Sequence, residues 1–337
     1  MPGVEVVVPH RVQPERVDRN SQRAASTGRR HPRRLRPQSS AGNTEWPRRQ
    51  RSWCTQDRQD AGVWYTYCVS RSQFPKPRHL ADALLAEGTS WVTTAEIARR
   101  LGISEDAVSD SLERAREAGR MLAITKGAWL VVPPEYLRWG APPPAHFVDD
   151  WMRHLGHPYY VGLLSAAAHH GLTHHAPQVF QVVTSARLRD RRIGRASIEF
   201  VVARRAAERP TDSVVVPTGR IRVASVEVTL LDLIAHTGRA GGLSNAAAIA
   251  MAAVVEGRFD AGKTVVAAGS YRPGALQRLG FVVEQAAVEA GIPVDLDSLA
   301  ASAAAQRVVP LATGEAAGGP VDPRWRVTVN SRLELDA

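Results

Sequence analysis

The first candidates for chemistry in this 337-residue chain are four histidines that close an alanine-rich segment. They form the pattern HHxxxHH between His169 and His175. His170 and His174 stand four residues apart, a spacing at which two imidazoles on one helix can face a zinc ion. However, Gly171 interrupts the helix between them, and no cysteine or carboxylate stands nearby in the sequence. The pattern favours histidines at the negative end of a helix, and we predict no metal and no other cofactor.

A second candidate is the pair Asp295 and Asp297, preceded by the dipeptide 269–270 (Gly-Ser). In nucleotidyltransferases a Gly-Ser turn holds phosphate and paired carboxylates hold magnesium, but here the intervening distance is much too long. The two aspartates are more simply a turn and a helix N-cap before Leu299. Glu227 and Asp232 lie five residues apart on one predicted helix, so they do not face each other as an acid/base pair. No Walker, GxSxG or HExxH motif is present. The sequence therefore predicts that the protein is not an enzyme; the alternative is a metal-dependent activity that needs Asp295 or Asp297.

A dense basic stretch lies between two predicted strands. It contains five arginines within nine residues: Arg187, Arg189, Arg191, Arg192 and Arg195. A projecting basic loop of this kind suits a phosphate backbone or an acidic protein surface. The alternative is a solvated loop, because the chain has 43 Lys and Arg of which only Lys76, Lys126 and Lys263 are lysines, a bias typical of GC-rich coding. We predict contact with nucleic acid.

Residues 79–139 have the pattern of a winged helix-turn-helix. A first helix near residues 79–87 is followed by a second that begins at Thr93, with Glu96 completing a capping box, and ends at Gly102. Ser104 is the predicted cap of the recognition helix, which runs to residue 118. A hairpin with a turn at residues 126–127 supplies the wing.

The predicted module brings polar side chains to its DNA-facing surface. The candidates for DNA contact are Thr94, Ser104, Ser109, Ser111, Arg114 and Lys126. Direct base readout falls to Ser109, Ser111 and Arg114, with Lys126 of the wing at the backbone or the minor groove. Acidic residues 105, 106 and 110 on the same helix suit its dipole but oppose phosphate, and they are alternatively ordinary first-turn residues.

Charge is unevenly distributed along the chain. Residues 1–78 hold 16 Lys and Arg against 6 Asp and Glu, whereas residues 79–135 hold 6 against 9. We predict that residues 1–78 are a disordered basic extension, either an arm that lies along DNA or an upstream segment without function. The start of the chain is not a secretory signal and no stretch is long and apolar enough to span a membrane, so the expected location is the cytoplasm.

The pattern of helices and strands over residues 140–337 predicts a second domain of mixed α/β (α+β) class. The Pro-rich segment 140–144 marks the connection, and helices near 147–155, 162–171, 226–235, 244–255 and 274–290 alternate with strands near 179–184, 198–203, 214–217 and 221–224. A short polar loop is expected between the last two helices, and a final strand or strand pair at 325–335. Intermixed strands and helices are typical of an α/β or α+β fold.

The chain resembles the AbiEi-type antitoxins and transcriptional regulators of type IV toxin–antitoxin systems over roughly residues 79–337. Beside the winged helix, the resemblance rests on residues 160–172 (YVGLLSAAAHHGL), 178–184, 223–234 (VASVEVTLLDLI) and 278–284 (RLGFVVE). It implies binding to inverted repeats of operator DNA upstream of the protein's own operon. It also implies a C-terminal domain that helps to bind the operator and counteracts a cognate nucleotidyltransferase-like toxin.

These observations lead to two hypotheses. The first is a DNA-binding antitoxin and autorepressor that acts as a monomer or weak dimer, with cooperative binding to DNA and no membrane association. The second is a protein-interaction module, or an orphan regulator, whose acidic winged helix docks a protein partner and does not read DNA.

Overall fold

The computed structural model describes residues 54–57, 65–68, 76–173, 176–316 and 318–335. The chain divides into two units, residues 1–66 and 67–337. Before residue 76 the described elements are strands β1 (Cys54–Asp57) and β2 (Tyr65–Cys68). The rest of the predicted basic extension, apart from residues 76–78, lies outside the described residues.

Residues 76–132, here called the N-terminal module, combine short helices with a small antiparallel sheet. The elements are α1 (Leu80–Ala86), β3 (Trp91–Thr93), α2 (Thr94–Leu101), α3 (Val108–Ser111), α4 (Glu113–Glu117), β4 (Met121–Thr125) and β5 (Ala128–Val131). The strand order is β3-β5-β4. The Thr93 hydroxyl accepts the Glu96 N–H at 3.2 Å, and Gly102 ends α2 with a positive φ of 68°. Both predicted ends of this helix are confirmed.

The expected continuous helix over residues 104–118 is wrong. A 3₁₀ turn (Glu105–Ala107) precedes α3, and Leu112, with φ −98° and ψ 2°, separates α3 from α4. The Ser104 side chain makes no capping hydrogen bond. The sequence Val-Ser-Asp-Ser explains the break, because short polar side chains compete for backbone hydrogen bonds, and the Ser111 hydroxyl donates to the Val108 carbonyl at 2.8 Å.

The second part of the chain, residues 144–335, is here called the C-terminal domain. It begins with α5 (Val148–Leu155), β6 (Tyr159–Val161), α6 (Leu163–His169), β7 (Val179–Thr184), β8 (Arg191–Ile193), β9 (Ala196–Val202), β10 (Thr211–Val216) and β11 (Gly219–Ala224). These strands form one mixed sheet in the order β10-β11-β6-β7-β9-β8. Within it β7 and β9 are parallel, as are β6 and β11, and the other pairs are antiparallel.

A helical layer follows the sheet. It comprises α7 (Val226–Ala235), α8 (Leu243–Val255), α9 (Ala261–Ala268), α10 (Gly274–Ala290) and α11 (Asp297–Ala304). The chain ends in a small sheet of β12 (Val309–Pro310), β13 (Val321–Asp322) and β14 (Val327–Thr328). Helix α9 occupies the predicted polar loop, where Asp260 caps it by accepting the Lys263 N–H at 2.9 Å. Of the strand or strand pair predicted at residues 325–335, only Val327–Thr328 forms a strand.

Helix α7 forms the centre of the C-terminal domain and positions its polar groups. Ser225 caps it as predicted, accepting the Val228 N–H at 3.3 Å. Eight of its ten residues are buried, among them Glu227 and Asp232. Because a central helix is surrounded by apolar neighbours, each buried polar side chain on it needs a partner.

The N-terminal module packs directly against the C-terminal domain. Ile124 and Leu130 of the small sheet are buried within the hydrophobic cluster of the C-terminal domain. The turn between β8 and β9 approaches the connecting segment so closely that a Cβ at Gly194 would lie 2.5 Å from the Trp139 carbonyl oxygen. Arg195 N–H donates to that same carbonyl at 2.9 Å. The basic stretch and the N-terminal module are therefore held in one fixed arrangement.

No helix within the described ranges is both long enough and apolar enough to cross a membrane.

Candidate nucleic-acid interface and arginine cavity

The predicted DNA-contacting side chains of the N-terminal module fall into two groups. Thr94 and Ser111 are half-buried and engaged internally: Thr94 Oγ1 accepts the Trp129 indole N–H at 3.0 Å, and Ser111 bonds the Val108 carbonyl. The exposed group consists of Ser104, Ser109, Arg114 and Lys126. Within the exposed group, Ser109 Oγ accepts a hydrogen bond from Arg116 Nη1 at 3.4 Å, whereas Ser104, Arg114 and Lys126 make no side-chain hydrogen bond among the described residues.

The same surface carries a net negative charge. The exposed carboxylates on the segment from the 3₁₀ turn to α4 are Glu105, Asp106, Asp110, Glu113 and Glu117. None of these five carboxylates forms an ion pair within the part of the chain that the structure describes. This face alone repels phosphate.

The basic stretch from Arg187 to Arg195 is not the projecting loop expected from the sequence. Arg191 and Arg192 lie in the edge strand β8, paired with β9, and Asp190 Oδ1 accepts the Phe200 N–H at 2.9 Å. Side chains alternate between the two faces of β9, and the tight turn at Gly194 lets β8 pair with β9, so that the basic stretch becomes part of the sheet. Arg189 is exposed. Arg195 stacks over the Trp139 ring at 5.5 Å.

The structure brings part of the basic stretch against the N-terminal module. A groove of about 620 Å³ is lined by Arg191 and Arg192 from β8 and by Glu113, Arg116 and Glu117 from α4, with residues 121–124 of β4 as its floor. The two edge arginines therefore stand beside the carboxylates of α4. Their positive charge offsets the local negative charge of the helix, an arrangement that the sequence alone did not reveal.

A larger cavity lies at the carboxyl end of β9, between the sheet and the first turn of α10. Its volume is about 940 Å³. We call it the arginine cavity. Its lining residues are Arg187, Val202, Ala203, Arg204, Arg205, Arg209, Ala235, His236, Ser270, Tyr271, Arg272, Gly274, Ala275, Arg278, Val309 and Thr313. Six are arginines and none is an aspartate or glutamate. Of these arginines only Arg187 belongs to the basic stretch singled out in the sequence.

A buried polar network forms the floor of this cavity. Arg209 Nη1 donates to Asp232 Oδ1 at 2.7 Å and to the Tyr160 hydroxyl at 2.7 Å. The Tyr160 and Tyr271 hydroxyls donate to Asp232 at 3.0 and 2.7 Å. Arg209 also stacks on the Tyr271 ring, with its guanidinium carbon 3.7 Å from the ring centroid. The carboxylate of α7 thus fixes the orientation of Arg209.

Burial governs the electrostatics of the network. Burial raises the pKa of Asp232 to about 6, and the Arg209 guanidinium together with the two tyrosine hydroxyls holds it below the value that burial alone would give. His236, at the cavity wall, has a pKa lowered to about 4 by burial and then by the charges of Arg209 and Arg239. The imidazole is therefore neutral at pH 7, and the cavity's positive charge comes from arginines.

The histidine pattern does not form a metal site among the described residues. His170 Nε2 lies 2.7 Å from the Ala224 carbonyl oxygen, where a protonated Nε2 donates a hydrogen bond. His174 and His175 lie outside the described residues. No group of three potential metal-ligating His, Cys, Asp or Glu side chains occurs in the described ranges. Asp295 accepts the Asp297 N–H at 3.0 Å in the predicted turn before α11, but the N-cap position is Leu296 and Asp297 is the first residue of the helix.

The fold is that of a mixed α/β protein whose helical N-terminal module is joined to a larger domain with a central buried helix. Residues 160–280 match the family model of the AbiEi antitoxin C-terminal domain. The match runs from β6 into α10 and contains the whole network of Tyr160, Arg209, Asp232 and Tyr271. It confirms the resemblance to an AbiEi-type antitoxin, and such an antitoxin implies a toxin partner in a toxin–antitoxin system.

The fold is also similar to that of a solved structure, the RV2827C protein from Mycobacterium tuberculosis. The two share 16% sequence identity with a TM-score of 0.55, over 75% of this chain and 91% of that chain. At this level of identity the similarity shows a shared fold only. No curated protein matches the chain.

Proposed function

We propose that this protein is a DNA-binding antitoxin and transcriptional autorepressor of a type IV toxin–antitoxin operon, and that it counteracts a nucleotidyltransferase-type toxin. The AbiEi antitoxin domain at residues 160–280 supports the antitoxin role. The observation that carries the DNA-binding role is the groove in which Arg191 and Arg192 stand beside α4. In this proposal the protein has no catalytic activity and needs no cofactor. It binds inverted repeats as a monomer or weak dimer.

The order of elements in the N-terminal module supports a winged helix-turn-helix. Helix α2 and the α3–α4 segment follow each other across the Gly102 corner, and β4 and β5 form a hairpin with Lys126 at its tip. In such modules the second helix enters the major groove and the hairpin contacts the backbone. Ser104, Ser109 and Arg114 are exposed on that second helical segment, where they are available to base edges.

Charge explains why the proposed contact needs both parts of the chain. Affinity for DNA comes mainly from neutralised phosphates, and the exposed carboxylates from Glu105 to Glu117 work against it. Arg191 and Arg192 stand across the groove from α4 and restore positive charge beside the recognition segment. The packing of Ile124 and Leu130 into the C-terminal domain keeps these charges in register. Operator binding is therefore expected from the full chain and not from the N-terminal module alone.

Titration of the full chain onto a labelled duplex from its own upstream region tests this proposal. The affinity should fall steeply as salt rises, and Arg191→Ala/Arg192→Ala should reduce the slope of log affinity against log salt by about 2. Arg220→Ala/Arg332→Ala removes the same charge from exposed positions outside the groove and should leave the slope unchanged. Arg114→Ala should reduce the difference in affinity between the operator and an unrelated duplex, because the change removes a contact to a base and not only a contact to phosphate.

If the intact chain does not bind its upstream duplex at low salt, the repressor role is wrong. The antitoxin role has a separate test, since growth arrest by the toxin encoded in the same operon should be relieved on co-expression of this protein. Failure of that rescue with a well-expressed, folded protein contradicts the antitoxin role.

A second candidate function is supported by the uncompensated carboxylates of the recognition segment. In this alternative the acidic face of α3 and α4 docks a basic protein partner, and no DNA is read. Replacing Glu113 and Glu117 by Gln distinguishes the two functions. The change should strengthen duplex binding if the segment faces DNA, whereas it should weaken toxin binding in a pull-down if the segment faces a protein.

A further inference from the structure

The arginine cavity concentrates positive charge, and its lining contains no carboxylate. Arg187, Arg204 and Arg272 are exposed at its rim, and within the described residues none of the three forms an ion pair or hydrogen bond through its side chain. Arg205, by contrast, is paired with Glu208 at 2.5 Å. Three unpaired guanidinium groups around one concave surface repel one another, and an anion bound in the cavity would relieve this repulsion.

Two further arginines of the cavity are not fully satisfied by their neighbours: one lacks a hydrogen bond and the other lacks a counter-charge. Arg209 is 7% exposed, and its Nε has no hydrogen-bond partner in the described part of the chain. Arg278 is half-buried, donates through Nε to the Pro310 carbonyl at 2.7 Å, and has no carboxylate partner among the described residues. Burial lowers the pKa of Arg278, which indicates that the site does not supply the counter-charge this group needs.

We propose that the arginine cavity binds the phosphate groups of a small, nucleotide-sized ligand, such as a nucleoside triphosphate. Arginine forks match phosphate oxygens in bidentate geometry, and the network around Asp232 holds Arg209 ready for such contact without a ligand. The first turn of α10, at Gly274 and Ala275, lines the same cavity and adds the positive end of a 17-residue helix.

The shape of the cavity favours a small ligand over a nucleic-acid backbone. Its volume of about 940 Å³ lies within the range of small-molecule sites. Beside the arginines the wall contains apolar side chains that suit the non-phosphate part of a nucleotide, and Val202 among them is 42% exposed. The backbone of a duplex requires an extended surface, whereas a concave site admits a group that protrudes, such as a terminal oligophosphate.

This inference goes beyond the proposed repressor and antitoxin function and does not depend on it. Arg187 is also one of the predicted DNA-contacting residues, but Arg204, Arg209, Arg272 and Arg278 are not. The arginine cavity lies at the carboxyl end of β9, whereas the groove beside α4 is formed by β8. Ligand binding and operator binding are therefore separable by mutation.

Isothermal titration calorimetry of the full chain with ATP and with inorganic triphosphate tests the proposal. Both probes should bind, and Arg204→Ala/Arg272→Ala should weaken each by at least about tenfold, since each charge-assisted contact to phosphate is strong. Both positions are exposed, so the variant should fold normally. The control Arg220→Ala/Arg332→Ala removes equal charge elsewhere and should retain wild-type affinity.

A second variant keeps every arginine. Ala235 is an exposed wall residue at the end of α7, and Ala235→Glu places a carboxylate in the cavity that competes with phosphate for the arginines. It should weaken both probes while leaving operator binding unchanged. A single-stranded oligonucleotide without terminal phosphates serves as the competing ligand.

The proposal is overturned if neither ATP nor triphosphate binds at millimolar concentration and low salt, or if the cavity variants bind them as the wild type does. It is also overturned if the cavity variants weaken only the oligonucleotide, because the cavity would then be a nucleic-acid contact. Loss of nucleotide binding with intact operator binding supports it.

Discussion

Gly162 lies where the network of the C-terminal domain has no room for a side chain. A Cβ built on Gly162 would be 2.6 Å from Val183 Cγ2, 3.1 Å from Asp232 Oδ2 and 3.1 Å from Tyr160 Cε2. The backbone there is extended, with φ −128°, so alanine meets no conformational penalty. Any cost of Gly162→Ala therefore comes from packing.

The magnitude follows from the neighbours. Val183 is fully buried in the central sheet, and its β-branched side chain has restricted rotamer freedom, so it cannot easily turn away. Overpacking of this kind costs about 1–3 kcal/mol, and pressure on Asp232 and Tyr160 places the expected loss in the upper half of that range. The free energy of unfolding from urea denaturation, followed by far-ultraviolet circular dichroism, measures this loss.

A double-mutant cycle identifies the cause. Val183→Ala removes the methyl group nearest to the new Cβ, so Gly162→Ala should cost at least about 1 kcal/mol less in that background than in the wild type. The matched control is Gly262→Ala in α9, where the nearest heavy atom would be Asp260 Oδ1 at 3.4 Å. That change should be neutral or stabilise by about 0.5–1 kcal/mol, because alanine favours helix. Additive costs in the cycle would refute the steric explanation.

Two other predictions concern the charged groups. Asp232→Ala should lower the free energy of unfolding by about 3–5 kcal/mol, because it leaves Arg209 buried without its carboxylate. Urea denaturation measures this loss, with Asp212→Ala at an exposed position as the control. A loss no larger than that of the control would contradict the prediction. Hydrogen bonds from Arg99 and Arg100 lower the pKa of Glu96 from 4.5 to about 2, so its contribution to stability is present above pH 4.5 and is lost as the pH falls toward 2. Thermal unfolding of wild type and Glu96→Gln between pH 2 and 7 should therefore converge at the acid end, and a constant difference would be inconsistent with the assignment.

Local signals predicted the elements that have clear ends. Helix α10 begins at Gly274 and ends before Gly291 as the periodicity indicates, and β7 spans Val179–Thr184 exactly as the apolar run does. The break at Leu112 was missed because a capped start and an i, i+4 apolar pattern fit a continuous helix equally well. Helix α9 was missed because Gly262 and the nearby glycines make its first turn resemble a loop.

The arginine cavity was beyond prediction for a different reason. Its six arginines come from three separate stretches, residues 187, 204–209 and 272–278, and nothing in any one stretch shows that the three meet at a common cavity. Only the parallel pairing of β7 with β9 and the packing of α7 against α10 bring them together. Long-range pairing of this kind leaves no period in the sequence.

Asp232 likewise has no distinctive signal in the sequence. In the sequence it is one acidic residue in the apolar helix VEVTLLDLIA, and its spacing from Glu227 rules out an acid/base pair. In the fold it is wholly buried, and the partner that justifies its burial is Arg209, which is distant in sequence and lines a cavity without acids. A buried carboxylate that only stabilised the core could be replaced by apolar side chains, often without loss of stability. A carboxylate that holds an arginine at the floor of an anion site could not be replaced in this way, because Arg209 would lose its orientation. The double variant Asp232→Leu/Arg209→Met therefore separates the structural role of the pair from its role in binding. If the pair belongs to an anion site, the double variant should be as stable as the wild type but should no longer bind triphosphate.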